Sequence, residues 1–503
     1  MTQPELSTPF SVGSARPNDE AGSGALRGGA SLSSRGTETA KQEMLKRRQA
    51  LLGGPVLPTM LKLALPTVIV LVVQSFVGVA ETYFVGFLGT DALAGVALVF
   101  PVLMLMQMMS NGGIGGGVAS SVARAIGAGR KDDADALVLN ALFLAIAFGI
   151  IFTAGEFLGG RALYRALGGQ GDALMASVAY ADAVFSGAVL VWIVSLLAAA
   201  LRGAGNTIVP AAVTLGGVFV LLPLSPALIF GWGPFPRLGV MGAGVAVVVY
   251  YLAAALALIF YLRSGLGVLR LPFDPRRIER RLLGDVFRVG ALSAVGTIQA
   301  NLTVVLVTGA VGLFGTDAIA GYGIASRLDY ILIPLLFGLG TAALTMVGVN
   351  IGAGQEARAE RIAWVGGLLA AGVTEAIGLT AAIFPQGWLG LFSSEPAVLA
   401  AGALYLRIVA PFYGIFGMGM MLYFAGQGAG RVVWPVLAGT ARLIIATAVG
   451  WSVVGVFGGG LKELFITVAV SLIVFGGITI VALRSRGWSR NDQSAVSANT
   501  AGK

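Results

Sequence analysis

The chain has 503 residues, of which 56% are hydrophobic and 11% charged, with a formal net charge of +9. Soluble domains carry about 25% charged residues, so composition excludes a water-soluble enzyme of this size and selects a polytopic membrane protein. With no Cys and no His, disulfides, thiol catalysis, His-ligated haem and ordinary zinc sites are excluded as well.

Residues 1–57 are rich in Ser, Gly, Thr and charge and contain no apolar run. They read as a disordered cytoplasmic tail, and no signal peptide is expected in them. The chain then becomes a series of long uncharged stretches, such as those between Asp91 and Arg124, Arg202 and Arg237, and Arg288 and Asp317. A spanning helix needs roughly 17–25 apolar residues. About twelve spans are predicted, near 59–87, 92–122, 134–157, 176–200, 208–231, 239–262, 286–313, 318–349, 359–384, 396–424, 432–457 and 463–483. The runs are continuous rather than alternating, which points to helices and against a strand barrel. Between spans six and seven, residues 263–285 carry Pro272, Pro275 and an Arg cluster, and read as a cytoplasmic connector. Residues 485–503 form a second cytoplasmic tail. Most Lys and Arg residues fall on segments that share a side with both termini, while the opposite loops hold Arg161, Arg165, Arg237 and Lys462. The positive-inside rule places both termini in the cytoplasm. The basic connector then faces anionic lipid headgroups, and no nucleic-acid partner is expected.

The sequence also repeats. Gly89-Thr90-Asp91-Ala92-Leu93-Ala94-Gly95 returns as Gly315-Thr316-Asp317-Ala318-Ile319-Ala320-Gly321. Ile126-Gly127-Ala128-Gly129 returns as Ile351-Gly352-Ala353-Gly354, and Gly203-Ala204-Gly205 as Gly428-Ala429-Gly430, at a constant offset of 225 residues. Six spans per copy is an even number, so the two copies share one orientation and are related by an axis along the membrane normal. The predicted fold is therefore an all-α, V-shaped bundle of two parallel six-helix repeats. Its N-lobe is 58–262 and its C-lobe 286–484, with a central cleft suited to alternating access.

Polar residues inside the spans are the functional candidates. Glu81 lies among Val77, Val79, Phe84 and Val85. An ionised carboxylate at membrane depth costs on the order of 2.5–3.5 kcal/mol. Burial disfavours its charged form, so Glu81 reads as a proton-binding group whose neutralisation removes an attraction for a cation. Gln74, Gln107, Asn111, Gln299 and Asn301 can line a cavity or bond across helices. Met104, Met106, Met108 and Met109 can pack the core or line a promiscuous site. Arg327 and Asp329 are two residues apart, so they point to different sides of a helix. Each needs another partner, Arg407 being a candidate for Asp329. Asp182 and Arg407 occupy equivalent places in the two repeats and, with Glu375, read as structural. Arg442 reads as snorkelling to the cytoplasmic surface. Gly112-Gly113-Ile114-Gly115-Gly116-Gly117 lacks the Lys-Ser or Lys-Thr of a phosphate loop and reads as a closely packed helix. The acidic run Lys131-Asp132-Asp133-Ala134-Asp135 reads as a helix start complementing the dipole.

Over about residues 55–485 the chain resembles the multidrug and toxic compound extrusion (MATE) family. The resemblance is carried by Pro66, Gln74 and Glu81 before Gly86 and the Gly89–Gly95 loop; by Gly127-Ala128-Gly129; by Arg202-Gly203-Ala204-Gly205; and by Tyr405-Leu406-Arg407 followed by Pro411. It implies a secondary antiporter, not an enzyme, in the bacterial inner membrane. It also implies export of drugs or toxic organic cations against proton or sodium entry, without cofactor or bound metal. Glu81 stands where many members have Asp. Ser225, before Pro226, stands where archaeal members have Asp, and joins the cavity candidates with Asp329. Ala300, between Gln299 and Asn301, stands where sodium-coupled members have Glu. The expectation is therefore proton coupling through Glu81. A sodium-coupled exporter and a flippase for a lipid-linked precursor are the alternatives.

Overall fold

The computed structural model describes residues 45–485 apart from 47 and 273, and leaves the side chain of Tyr330 undescribed. The predicted tails at 1–44 and 486–503 lie outside the described residues. The described residues form eleven helices long and apolar enough to cross a membrane, and one bent pair supplies a twelfth. In chain order the spans are Val56–Gly86, Thr90–Gly127, Lys131–Ala166, Gly171–Ser186 with Ala188–Gly203, Ile208–Phe230, Val240–Ser264, Arg280–Gly312, Thr316–Gly352, Glu356–Ile383, Pro396–Ala429, Val433–Gly455 and Leu461–Arg484. Each overlaps one predicted run, which extends past it by no more than two residues. Helices satisfy their backbone groups internally, which lipid requires, and their outward faces are apolar: Phe76, Phe219 and Leu158 are 70%, 79% and 89% exposed.

The backbone repeats as the sequence does. Gly129 and Gly354 have φ of 75° and 76°, Gly205 and Gly430 have 77° and 73°, and Gly233 and Gly458 have 65° and 66°. These left-handed turns admit Gly without a Cβ penalty. Both halves also break their fourth span at equivalent places. Span four bends by 49° between Ser186 and Ala188. Span ten passes through a tight turn at Ala410–Phe412, where Pro411 offers no N–H. In each half the third span supplies a polar group to the break. Thr153 Oγ1 donates to the Phe185 carbonyl at 2.7 Å. Thr374 Oγ1 donates to the Tyr413 carbonyl at 2.9 Å, and the Gly414 N–H donates to Glu375 Oε2 at 2.7 Å. Glu375 is therefore a cap for a broken helix.

The halves approach closely where spans two and eight end, at Gly127 and Gly352. A Cβ on Gly127 would lie 2.0 Å from the Val349 carbonyl oxygen, and one on the equivalent Gly352 2.1 Å from that of Arg124. Only Gly permits these approaches. A Cβ on Gly117 would meet the Val286 carbonyl at 2.4 Å, and one on Gly113 would meet Ala294 at 3.1 Å, so the glycine run of span two is a packing surface. Polar bonds pin the same seam. Arg124 Nη2 lies 2.7 Å from Asp285 Oδ2, Arg124 donates to Ser120 Oγ, and Ser120 Oγ donates to the Gln427 carbonyl.

Residues 48–53, read from composition as part of a disordered tail, are helical and lie across this seam. Leu51 is 4% exposed. Arg48 Nη2 donates to the Gly127 carbonyl at 2.8 Å, and Asn350 Nδ2 donates to the Leu51 carbonyl at 3.2 Å. One or two leucines among charges make too short a signal to predict this strap. The acidic run at 131–135 does more than complement a helix dipole. Asp133 Oδ1 takes Arg281 at 2.9 Å, Asp135 Oδ2 takes Lys131 at 2.6 Å, and Asp135 Oδ1 accepts the Arg270 N–H at 2.9 Å. It clamps the connector to the first half. The connector holds a short turn at Pro275–Arg277 and passes into span seven at Arg280.

Candidate functional site

Glu81 sits near the C-terminal end of span one, facing span five. Val85, one turn further on, packs with Ile229 and Ala243 in a small apolar cluster that includes Phe84 and Tyr180. Within this setting Ser225 Oγ, fully buried, donates to Glu81 Oε2 at 2.9 Å. Glu81 Oε1 is buried and has no hydrogen-bond partner among the described residues. Span five brings Ser225 there between Pro223 and Pro226. Each proline lacks an N–H, so the carbonyls of Phe219 and Leu222 lose their intrahelical donor. The pair is thus one carboxylate and one hydroxyl in an apolar wall, beside loosened backbone. An unpartnered buried carboxylate oxygen is costly when charged and can be relieved by a proton.

A second polar cluster forms in the other half. Tyr405 hydroxyl donates to Asp329 Oδ2 at 3.3 Å, and Asp329 Oδ1 is buried without a partner. Tyr413 and the Arg442 guanidinium face the same carboxylate. Tyr322, Tyr405 and Phe465 enclose it with mutually packed rings. Two expectations are corrected here. Arg407 is exposed and is not the partner of Asp329. Arg442 packs against a neighbouring span rather than snorkelling: it is half-buried, with its guanidinium 4.8 Å from the Phe416 ring centre and within electrostatic reach of Asp329. Spacing along one helix identifies which residues cannot pair, as it does for Arg327, which stacks on Phe392 at 5.4 Å instead. A partner from a different span leaves no trace in local spacing.

The remaining candidates do not gather in one place. Gln74 is exposed beside Tyr250. Gln107 is half-buried, and its carbonyl accepts from Ser110 and Asn111 at 3.1 Å. Gln299 Nε2 donates to Thr440 Oγ1 at 2.7 Å. Asn301 Nδ2 donates to the Thr297 carbonyl and lies 3.0 Å from Met108 Sδ of the other half. Asn111 lines a void at the seam between the halves, together with Arg202 and Gln427. Arg202 had a signal, its place in the Arg202–Gly205 turn. Gln427, fully buried, had none. Among the described residues no group of three or more acidic side chains is placed to hold a metal ion.

Comparison with known proteins agrees on one family. A sequence model described as MatE matches residues 66–227 and 293–452, one block in each half. A FAD transporter of Shewanella oneidensis is 27% identical over 443 residues, covering 86% of this chain and 95% of that protein. A probable multidrug resistance protein NorM of Thermotoga maritima is 27% identical over 394 residues, covering 77% and 84%. The fold is shared with a crystal structure of MATE in the bent conformation, at a TM-score of 0.82 and 23% identity over 90% of this chain and 99% of that one. It is also shared with an outward-facing MATE transporter of the MOP superfamily, at 0.77 and 23% over 87% and 97%.

Proposed function

The chain belongs to the MatE family of membrane transporters, and on that premise we propose that it is a proton-driven antiporter exporting amphipathic, cationic organic compounds. It is a transporter and not an enzyme. The observation that carries the coupling is the Glu81–Ser225 pair, a carboxylate with one bonded and one unpartnered buried oxygen. Such a group binds one proton readily. A sodium ion needs several oxygen ligands to replace its hydration, and among the described residues Ser225 is the one side chain bonded to Glu81. Protonation from outside weakens the carboxylate's hold on Ser225 and its attraction for a cation in the cleft, so cargo leaves as the proton enters.

In this reading both termini are cytoplasmic. The N-lobe, 58–262, and the C-lobe, 286–484, rock about the glycine seam, with the connector 263–285 on the cytoplasmic side. The seam is then the cytoplasmic gate, closed in this conformation. Export of drugs is supported by relatives named as a probable multidrug resistance protein and a multidrug export protein. Purified protein in liposomes decides the ion. Efflux of ethidium is expected to follow an inward proton gradient, to collapse with a protonophore and to change little when sodium is removed at fixed pH. Efflux that requires sodium and survives the protonophore would overturn proton coupling.

A further inference from the structure

We propose that the segments leading into spans one and seven are a pair of reciprocal latches, each reaching across to the other half and holding the glycine seam shut. The proposal rests on the alternating-access reading and supplies the element that sets its resting conformation. The strap, with Gly54 after it, leads into span one, and the connector leads into span seven. Each is held by the other half in the same two ways. Asn350 Nδ2 of the second half donates to the Leu51 carbonyl at 3.2 Å, and Asn140 Nδ2 of the first half donates to the Arg277 carbonyl at 3.0 Å. Both asparagines are fully buried, and each also donates to the carbonyl four residues before it at 2.7 Å. The second hold falls on the third residue of the other half's third span. Arg358 of span nine donates to the Gly54 carbonyl, and Asp133 Oδ1 of span three accepts from Arg281 Nη2 at 2.9 Å. Arg358 and Asp133 are 225 residues apart, the offset of the repeat.

These holds join parts that separate when the seam opens. Arg48 Nε and Nη2 both donate to the Gly127 carbonyl, at 3.2 and 2.8 Å. Leu51 is buried against Gly205, where a Cβ would lie 3.1 Å from the leucine Cδ1. The strap is thereby fixed to the ends of spans two and four, and its bonds from Asn350 and Arg358 run from one half to the other. Bonds that join the halves exist while the seam is closed, and in a two-state equilibrium they favour that state. The two latches differ in chemistry. The strap offers neutral carbonyls to an amide and a guanidinium. The connector is held through an ion pair whose arginine side chain is 57% exposed, so added salt screens it.

The test uses the purified full-length chain carrying one cysteine, Ser120→Cys. Ser120 is fully buried in the seam, where its hydroxyl donates to the Gln427 carbonyl, and the chain has no native Cys. Alkylation by N-ethylmaleimide then reports seam opening. Arg358→Met and Asp133→Ala are each expected to speed alkylation by about fivefold or more. The double variant should show the product of the two effects, because both latches must break for one opening. Raised salt is expected to speed alkylation in the parent and to do so less in Asp133→Ala; an equal salt response in the two would remove the connector from the latch. A second reporter, Leu51→Cys with Ser120 restored, follows the strap itself. Faster alkylation at Leu51 with an unchanged rate at Ser120 would mean that the strap frays without the seam opening, and would overturn the proposal, as would unchanged rates at both. If one variant does not fold, the other and the salt response decide. Proton-driven ethidium efflux by the wild type in liposomes is measured alongside. Its absence would count against the exporter reading while leaving the alkylation result standing.

Discussion

At Glu81 one hydroxyl and an apolar wall decide the chemistry. Glu81→Gln keeps the size and the bond to Ser225 but cannot titrate, so gradient-driven ethidium export is expected to fall at least tenfold with the protein still folded and inserted. Full transport by this variant would remove Glu81 from the coupling step. Ser225→Ala is expected to leave coupling in place and shift its pH dependence. The Ser225 hydroxyl stabilises the charged carboxylate, so its loss favours the protonated form and moves the transport profile to higher pH; a profile that moves lower contradicts the assignment. Asp329 behaves differently, because Tyr405 donates to it at 3.3 Å and Arg442 lies within its electrostatic reach. Truncating one member of a buried pair costs about 3–5 kcal/mol, whereas replacing both with apolar residues is often neutral. Asp329→Asn and Arg442→Met should each lower the unfolding midpoint, and the double variant should recover most of the loss. Additive losses would show that the two do not interact.

The elements carry the conformational cycle. Gly127 and Gly352 let spans two and eight touch backbone to backbone, at approaches that a single Cβ would block. Gly352→Val is therefore expected to hold the halves apart at the seam and to stop transport without preventing insertion. A cysteine placed at Gln427, fully buried here, should then be alkylated at least tenfold faster than in the wild-type background. Unchanged labelling would show that the seam does not depend on these glycines. The strap at 48–53 works on the same seam from outside the bundle. Its bonds to Gly127 in one half and from Asn350 in the other must break before the halves separate on that face.

For the whole molecule the repeat makes a strong topological statement. Six spans per half require the loops after spans two and eight to lie on one side and the loops after spans three and nine on the other. The chain has no native Cys, so single cysteines report cleanly. Ala128→Cys and Gln355→Cys, both exposed, should react from the cytoplasm. Gln170→Cys and Ser394→Cys, also exposed, should react from outside. Opposite labelling would overturn the cytoplasmic placement of the termini.

Sequence alone determined the number and kind of the spans and their duplication. Apolar run length is a local property, and turn glycines such as Gly129 and Gly354 must recur wherever the backbone does. It also singled out Glu81, because a lone acid in an apolar run is conspicuous without knowing its neighbours. Only the tertiary structure decided what such residues face. Ser225 reaches Glu81 from span five, Tyr405 reaches Asp329 from span ten, and Glu375 caps the break in span ten. Pairings between helices depend on rotation and depth, and in a hydrophobic chain most positions are apolar whichever way they point. The periodicity that identifies a buried face in a soluble helix is therefore absent, and the partners become visible when the helices pack.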